Sequence, residues 1–196
     1  MLKSPHKKIY DRQYRVKLRS TVLIAYGNKC TCCGEDCQGV LQMDHVDGGG
    51  RTHVSSLGGS KGFYKWLCKE NFPPAYKILC ANCNLGKFRN RGQCPHQGVN
   101  PFNGNEGHRR YRVKLRDAVF NLLGAACSMC SESNVLFLTI DHINGRGNVE
   151  RKSIKDNDQI YIKIRDDESY REGFQLMCMN CNVLKYRQEL SSEKTL

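Results

Sequence analysis

Residues 80–87 read "CANCNLGK" and residues 178–185 read "CMNCNVLK". Each stretch has two cysteines three apart, an asparagine after the second, and a lysine three residues further on. These are Cys80, Cys83, Asn84 and Lys87, then Cys178, Cys181, Asn182 and Lys185. A single CxxC is a weak signal. Structural zinc is tetrahedral and is commonly held by two such turns, so the sequence must supply a second pair. It does so twice, with Cys30 and Cys33 about fifty residues before the first stretch and Cys127 and Cys130 about fifty before the second. We therefore expect Cys30, Cys33, Cys80 and Cys83 to hold one zinc, and Cys127, Cys130, Cys178 and Cys181 another. Disulfides or buried free thiols are the alternative. They are disfavoured because the same four-cysteine spacing occurs twice.

The recurrence extends beyond the cysteines. "YRVKLR" begins at Tyr14 and again at Tyr111, 97 positions later. Gly27 and Gly124, Asp44–His45 and Asp141–His142, Gly48 and Gly145, and Gly50 and Gly147 keep the same separation. From the second knuckle onward, including Arg89 and Arg187, the separation is 98, which one net inserted residue explains. This predicts a unit of about half the chain present twice. The expected organisation is a first unit over residues 1–96, a linker over 97–107 and a second unit over 108–196. The Gly-, Asn- and Pro-rich composition around residues 90–108 suggests the linker.

Each unit reads as the same coarse order. A basic helix ("DRQYRVKLRSTVLIAY", with Tyr14, Leu18, Thr21 and Ala25 near one face) ends at a glycine. A knuckle follows, then a β-like run, "GVLQMDHV" or "VLFLTIDHI", a glycine loop and a helix-prone stretch. The second knuckle then opens a short basic helix. The "VLFLTI" run suggests a buried strand. The fold class expected is α+β, with two tandem zinc-stapled units.

Composition narrows the function. The chain has 196 residues, 39% of them hydrophobic, so each half has little material for a core and benefits from a metal staple. Thirty-one Lys and Arg against 19 Asp and Glu leave a formal charge of +12, which favours a polyanionic partner, most often nucleic acid. There is no apolar run of the length a signal peptide or membrane span requires, so we expect an intracellular protein with no membrane partner. Thiols stay reduced in such a compartment, which again favours metal over disulfide.

Zinc alone does not explain Asp44–His45, Asp141–His142 or the two asparagines. Carboxylate and amide oxygens suit Mg²⁺ or Mn²⁺, and histidine can take a proton from water near neutral pH. A solvated Asp beside a packed His is the bland alternative. Recurrence of the pair in step with Asn is what favours function. The ordered pattern of CxxC, a strand ending in DH, a Gly-rich loop, CxxCN and Lys resembles the HNH, or ββα-metal, endonuclease motif. The likeness is to its zinc-bound, treble-clef-like branch, as in phage-type endonuclease VII and many phage and mobile-element nucleases. It covers about residues 27–89 and 124–187.

The resemblance implies a β-hairpin and helix around one divalent ion. His45 and His142 would be general bases. Asp44 with Asn84, and Asp141 with Asn182, would hold the ion, and the products would carry 5′-phosphate and 3′-hydroxyl ends. The chain departs from the pattern where HNH motifs usually carry a middle Asn: Ala75 and Gly173 stand there. His53 lies in the first glycine loop, but Glu150 holds the matching place, so no shared role is assigned to it.

For nucleic acid, the expected contacts are Lys87, Arg89, Lys185 and Arg187 after the knuckles. Arg15, Lys17 and Arg19, repeated as Arg112, Lys114 and Arg116, follow on the leading helices. A merely solvated basic face is the alternative for the helix residues. DNA is the expected partner, with RNA left open. One chain with two pseudo-symmetric sites does what a homodimer does, which is consistent with a monomer. A non-catalytic zinc-dependent binder, or a nickase with one cutting and one gripping copy, is the competing reading. Cys32, Cys37, Cys68 and Cys94 have no counterparts in the second half. Cys94 and His96 either hold an extra metal or, as we favour, are a free thiol and a surface histidine.

Overall fold

The computed structural model describes residues 5–100, 107–145 and 157–192. Gly147 and Glu150, in the second glycine loop, fall outside these residues. Contacts divide the chain into two units, Met1–Asn84 and Leu85–Leu196. In chain order the elements are α1 (Pro5–Ala25), β1 (Leu41–His45), α2 (Gly50–Ser56), α3 (Ser60–Lys69), β2 (Tyr76–Cys80) and α4 (Ala81–Arg89). After a 3₁₀ turn at Pro95–Gln97 come α5 (Gly107–Leu122), β3 (Leu138–His142), α6 (Asn157–Asp166), α7 (Glu168–Arg171), β4 (Phe174–Cys178) and α8 (Met179–Ser192). The class is mixed α+β, with small two-stranded sheets.

The leading helices end as their glycines dictate. Gly27 adopts φ 90°, and the Gly27 and Asn28 amides donate to Ile24 O and Leu23 O. Gly124 adopts φ 93°, and the Gly124 and Ala125 amides donate to Asn121 O and Phe120 O. Both are the paired reverse bonds of a left-handed glycine terminator, which only glycine enters at little cost. The buried face of α1 differs from the expected one. Val22 and Leu23 are buried, Tyr14 and Leu18 half-buried, and Thr21 and Ala25 exposed. The face is chosen by what α3 presents to it, not by the mean periodicity of a helix that is polar over much of its surface.

In the first unit β1 and β2 pair antiparallel, with Leu41 opposite Cys80 and His45 opposite Tyr76. In the second unit β3 and β4 pair antiparallel, with Leu138 opposite Cys178 and His142 opposite Phe174. Each hairpin thus carries a knuckle cysteine at one end and a histidine at the other, separated by about 13 Å of extended chain. The "VLFLTI" run is not the fully buried strand expected. The strand begins at Leu138, and only its first residue is buried. A two-stranded sheet has one covered face, so alternate positions stay half-open.

Such a sheet is marginal without a helix against it. In the first unit Val22, Phe63 and Leu67 form the cluster that covers it, joined by Met43, Trp66, Cys68 and Tyr76. Burial raises the Cys68 thiol pKa, and Cys68 serves there as a small apolar side chain. In the second unit Phe120, Leu138, Leu176 and Met177 pack together, flanked by Val119, Ile160, Ile164 and Phe174.

The expected linker is organised through residue 100. Asn90 is buried; its Nδ2 donates to Gln93 O and Gly98 O, and its Oδ1 accepts from the Asn100 amide. Cys94 and Pro95 are buried as well. The division of contacts falls earlier than the linker because residues after Asn84 pack within the second unit. Gly86 is one reason: a Cβ there would lie 2.5 Å from Phe137.

Candidate metal centres and histidine sites

The two expected cysteine groups are assembled. The ligand atoms of Cys30, Cys33, Cys80 and Cys83 lie within 4.8 Å of one another, as do those of Cys127, Cys130, Cys178 and Cys181. Cys33 Sγ stands 3.7 Å from Cys80 Sγ, and Cys130 Sγ stands 3.7 Å from Cys178 Sγ. The first knuckle is held by Cys30 N–H to Glu35 O and Gly34 N–H to Cys30 O; the second unit uses Cys127 N–H to Glu132 O and Ser131 N–H to Cys127 O. At the second knuckle the Cys83 amide donates to Cys80 Sγ at 3.4 Å, and the Cys181 amide to Cys178 Sγ at 3.5 Å. Amides aimed at sulfur stabilise thiolate, the form that binds zinc.

The thiol acidities fit that use. Hydrogen bonds from Cys80 and Cys83 pull Cys30 far below the ordinary thiol range, while the contact with Cys30 pushes Cys80 up to about 12. Burial raises Cys127, but backbone hydrogen bonds at Cys178, Met129 and Cys130 outweigh it and bring the thiol down to about 7. The protons shared among these sulfurs are those a bound zinc displaces, so acid opposes metal binding.

Cys94 is buried, with its Sγ 3.4 Å from His96 Nδ1. Cys94 is a free thiol and His96 is exposed, as favoured from the sequence, and the two side chains are in contact. The only sequence signal was the CPH spacing. Cys37 is exposed, and its amide donates to Glu35 Oε1.

At the far end of each hairpin stand the Asp–His pairs. Asp44 is 9% exposed, on the same strand face as Gln42. Asn84 Nδ2 donates to Gln42 Oε1 at 2.6 Å, and Asn182 Nδ2 donates to Thr139 Oγ1 at 3.1 Å. Both amides are pinned by their nitrogen, which leaves Oδ1 as the end that can meet a cation. In the second unit Lys185 Nζ donates to Asp141 Oδ2 at 2.6 Å and to His142 O at 3.0 Å. Gln175 Nε2 donates to the same Oδ2 at 2.9 Å. Both side-chain bonds fall on Oδ2, so Asp141 Oδ1 faces no competing donor among the described residues. One carboxylate oxygen and one amide oxygen, with the balance from water and phosphate, is a donor set that fits Mg²⁺ or Mn²⁺. The middle positions Ala75 and Gly173 contribute carbonyls, which accept from the Val46 and Ile143 amides beside the histidines.

The basic residues divide. Arg15 and Lys17 on α1, Arg112 and Lys114 on α5, and Arg187 on α8 are exposed, although Arg112 is paired with Asp158 at 2.8 Å. Lys87 is half-buried on α4. Arg19 and Arg89 do not present a free guanidinium. Arg19 donates to Gln38 O and Leu41 O at 2.5 and 2.6 Å. Arg89 donates to Leu138 O at 2.6 Å and to Leu136 O and Val135 O at 3.3 and 3.4 Å. Leu41 and Leu138 are the first residues of β1 and β3, so Arg89 does for the second hairpin what Arg19 does for the first. Arg116, the sequence counterpart of Arg19, instead bonds Asp117 and lies over the Phe120 ring. Hydrogen bonds from a charged donor contribute about 1.5–3 kcal/mol. Arg89→Ala should lower unfolding stability by roughly that amount in denaturant titration. Unchanged stability would show that these bonds do not hold the second hairpin.

His45 occupies an aromatic box that sequence reading did not reveal. Its ring stacks on Phe63 with centroids 5.2 Å apart and meets Tyr76 edge-on at 4.7 Å. His45 Nε2 lies 3.0 Å from His53 Nδ1. His142 packs against Phe174 at 4.5 Å.

No helix among the described residues is long and apolar enough to cross a membrane. Comparison with models of known protein families, with curated proteins and with solved structures finds no match to this chain.

Proposed function

We propose that the chain is a divalent-metal-dependent DNA endonuclease of the HNH type, built from a duplicated zinc-stapled unit with one hydrolytic site in each copy. The observation that carries this reading is the arrangement at each hairpin's end. A strand-terminal histidine follows an aspartate, and the asparagine after the knuckle is anchored to the same strand two residues before that aspartate.

In this reading His45 and His142 each take a proton from water as its oxygen attacks phosphorus. The 3′-oxygen leaves with the electrons of the broken P–O bond and is protonated from solvent. Asp44 and Asn84, and Asp141 and Asn182, would hold the ion through oxygen, and the ion would supply charge stabilisation at the phosphate. Lys87 and Lys185, one helical turn after the asparagines, add positive charge near that phosphate. The zinc groupings keep hairpin and helix in register so that the oxygen ligands and the base stay aligned.

Supercoiled plasmid incubated with the protein and Mg²⁺ or Mn²⁺ should be nicked and linearised, and EDTA should prevent it. Unchanged plasmid under all metal conditions would sink the reading. Binding should weaken with salt, since neutralising even four phosphates gives a log–log slope of about −3.6 on duplex DNA. A slope near zero would remove DNA as the partner.

A further inference from the structure

We propose that His53 is a positioning residue for His45, accepting the Nε2–H hydrogen bond and so fixing the neutral tautomer that carries its lone pair on Nδ1. A neutral imidazole has one donor and one acceptor nitrogen, and the partner of one decides the role of the other. The two facing nitrogens, His45 Nε2 and His53 Nδ1, are 3.0 Å apart, within hydrogen-bond distance. The opposite nitrogen, His45 Nδ1, faces Gly50, where a Cβ would lie only 2.7 Å from it. Glycine at position 50 keeps a side chain from closing on Nδ1. Nε2 thus faces His53, and Nδ1 faces the side-chain-free Gly50.

His53 is itself held in place. It sits on α2, its ring meets Trp66 edge-on at 4.8 Å and Phe63 at 5.6 Å, and Tyr76 Oη lies 3.3 Å from its Nδ1. The brace is particular to the first copy, because the residue 97 positions on from His53 is Glu150. The catalytic consequence rests on the reading of His45 as base; the tautomer does not.

The test separates the two. Long-range ¹H–¹⁵N correlation on the full-length zinc-loaded protein should show His45 protonated on Nε2. In His53→Phe, which keeps a ring and removes the acceptor, the two tautomers should mix. In His53→Asn, which keeps an acceptor near the Nδ1 position and loses the ring, the Nε2–H form should persist. A His45 found as the Nδ1–H tautomer in the unsubstituted protein would overturn the proposal.

Activity is read in a His142→Ala background, so that nicking reports the first copy alone. There His53→Phe should lower kcat roughly 10–100-fold with KM nearly unchanged, and His53→Asn should recover most of it. A purely packing role predicts the reverse order, with Asn worse than Phe, and that order would also overturn the proposal. If the background protein nicks nothing while the tautomer pattern holds, the nuclease reading fails and the His45–His53 pairing stands.

Discussion

His45→Ala and His142→Ala should each convert a linearising enzyme into a nicking one, and the double variant should bind DNA and cut neither strand. Each histidine closes its own hairpin, opposite Tyr76 in one and Phe174 in the other, and each has its own aspartate beside it. Removing one base therefore leaves the other donor set intact. Loss of a positioned general base typically costs about 10²–10⁴-fold, enough to silence one strand over an ordinary assay. The measurement is the ratio of nicked to linear plasmid over time. If His142→Ala linearises at the original rate while His45→Ala abolishes all cutting, the second copy is a grip. If the double variant cuts as fast as the unsubstituted protein, neither histidine is the base.

Zinc removal should have the largest structural effect. Bound structural zinc contributes roughly 10–16 kcal/mol of apparent free energy at neutral pH, as much as or more than the whole stability of a small domain. The cores it supports are small: Val22, Phe63 and Leu67 in one unit, and two clusters around Phe120 and Val119 in the other. A strong chelator should abolish the cooperative thermal transition and most of the helical circular dichroism, and adding zinc back should restore both. Cys178→Ser, which touches a single grouping, should cost one ion and expose residues 107–192 to proteolysis first. Elemental analysis should return two ions, one for each paired-knuckle grouping. A protein that keeps its transition in chelator, or binds no zinc, would break the ligand assignment.

The second knuckles and their helices illustrate what short-range pattern can specify. Cys80 and Cys83 lie where β2 passes into α4, and Cys178 and Cys181 where β4 passes into α8. A CxxC turn at a strand–helix junction is a local geometry, legible from spacing alone. The same holds for Gly27 and Gly124. Asn84 bonds Gln42, two residues before Asp44 on the same strand, because the knuckle fixes where α4 begins beside β1.

Other features depended on where elements dock. Arg19 and Arg116 occupy the same place in "YRVKLR", but Arg19 binds strand carbonyls and Arg116 does not. Arg89, from outside that motif, takes the corresponding carbonyls in the second unit. Identical side chains were read as equivalent because sequence carries their identity, not the carbonyls within reach. Asn90 organises a segment whose composition suggested only a linker, through bonds to Gln93, Gly98 and Asn100.

By itself, then, the sequence determined the α+β class, the two four-cysteine groups and the helix ends. All of these follow from ligand spacing, steric preference at glycine and the two-residue period of a strand. Only the tertiary structure decided which arginines face solvent, that Cys94 meets His96, and that His53 meets His45. His53 had no recurring partner to mark it. Its contact with His45 exists because α2 folds back over the end of β1 while Phe63, Trp66 and Tyr76 hold both rings, and packing between elements leaves no periodic trace in the chain.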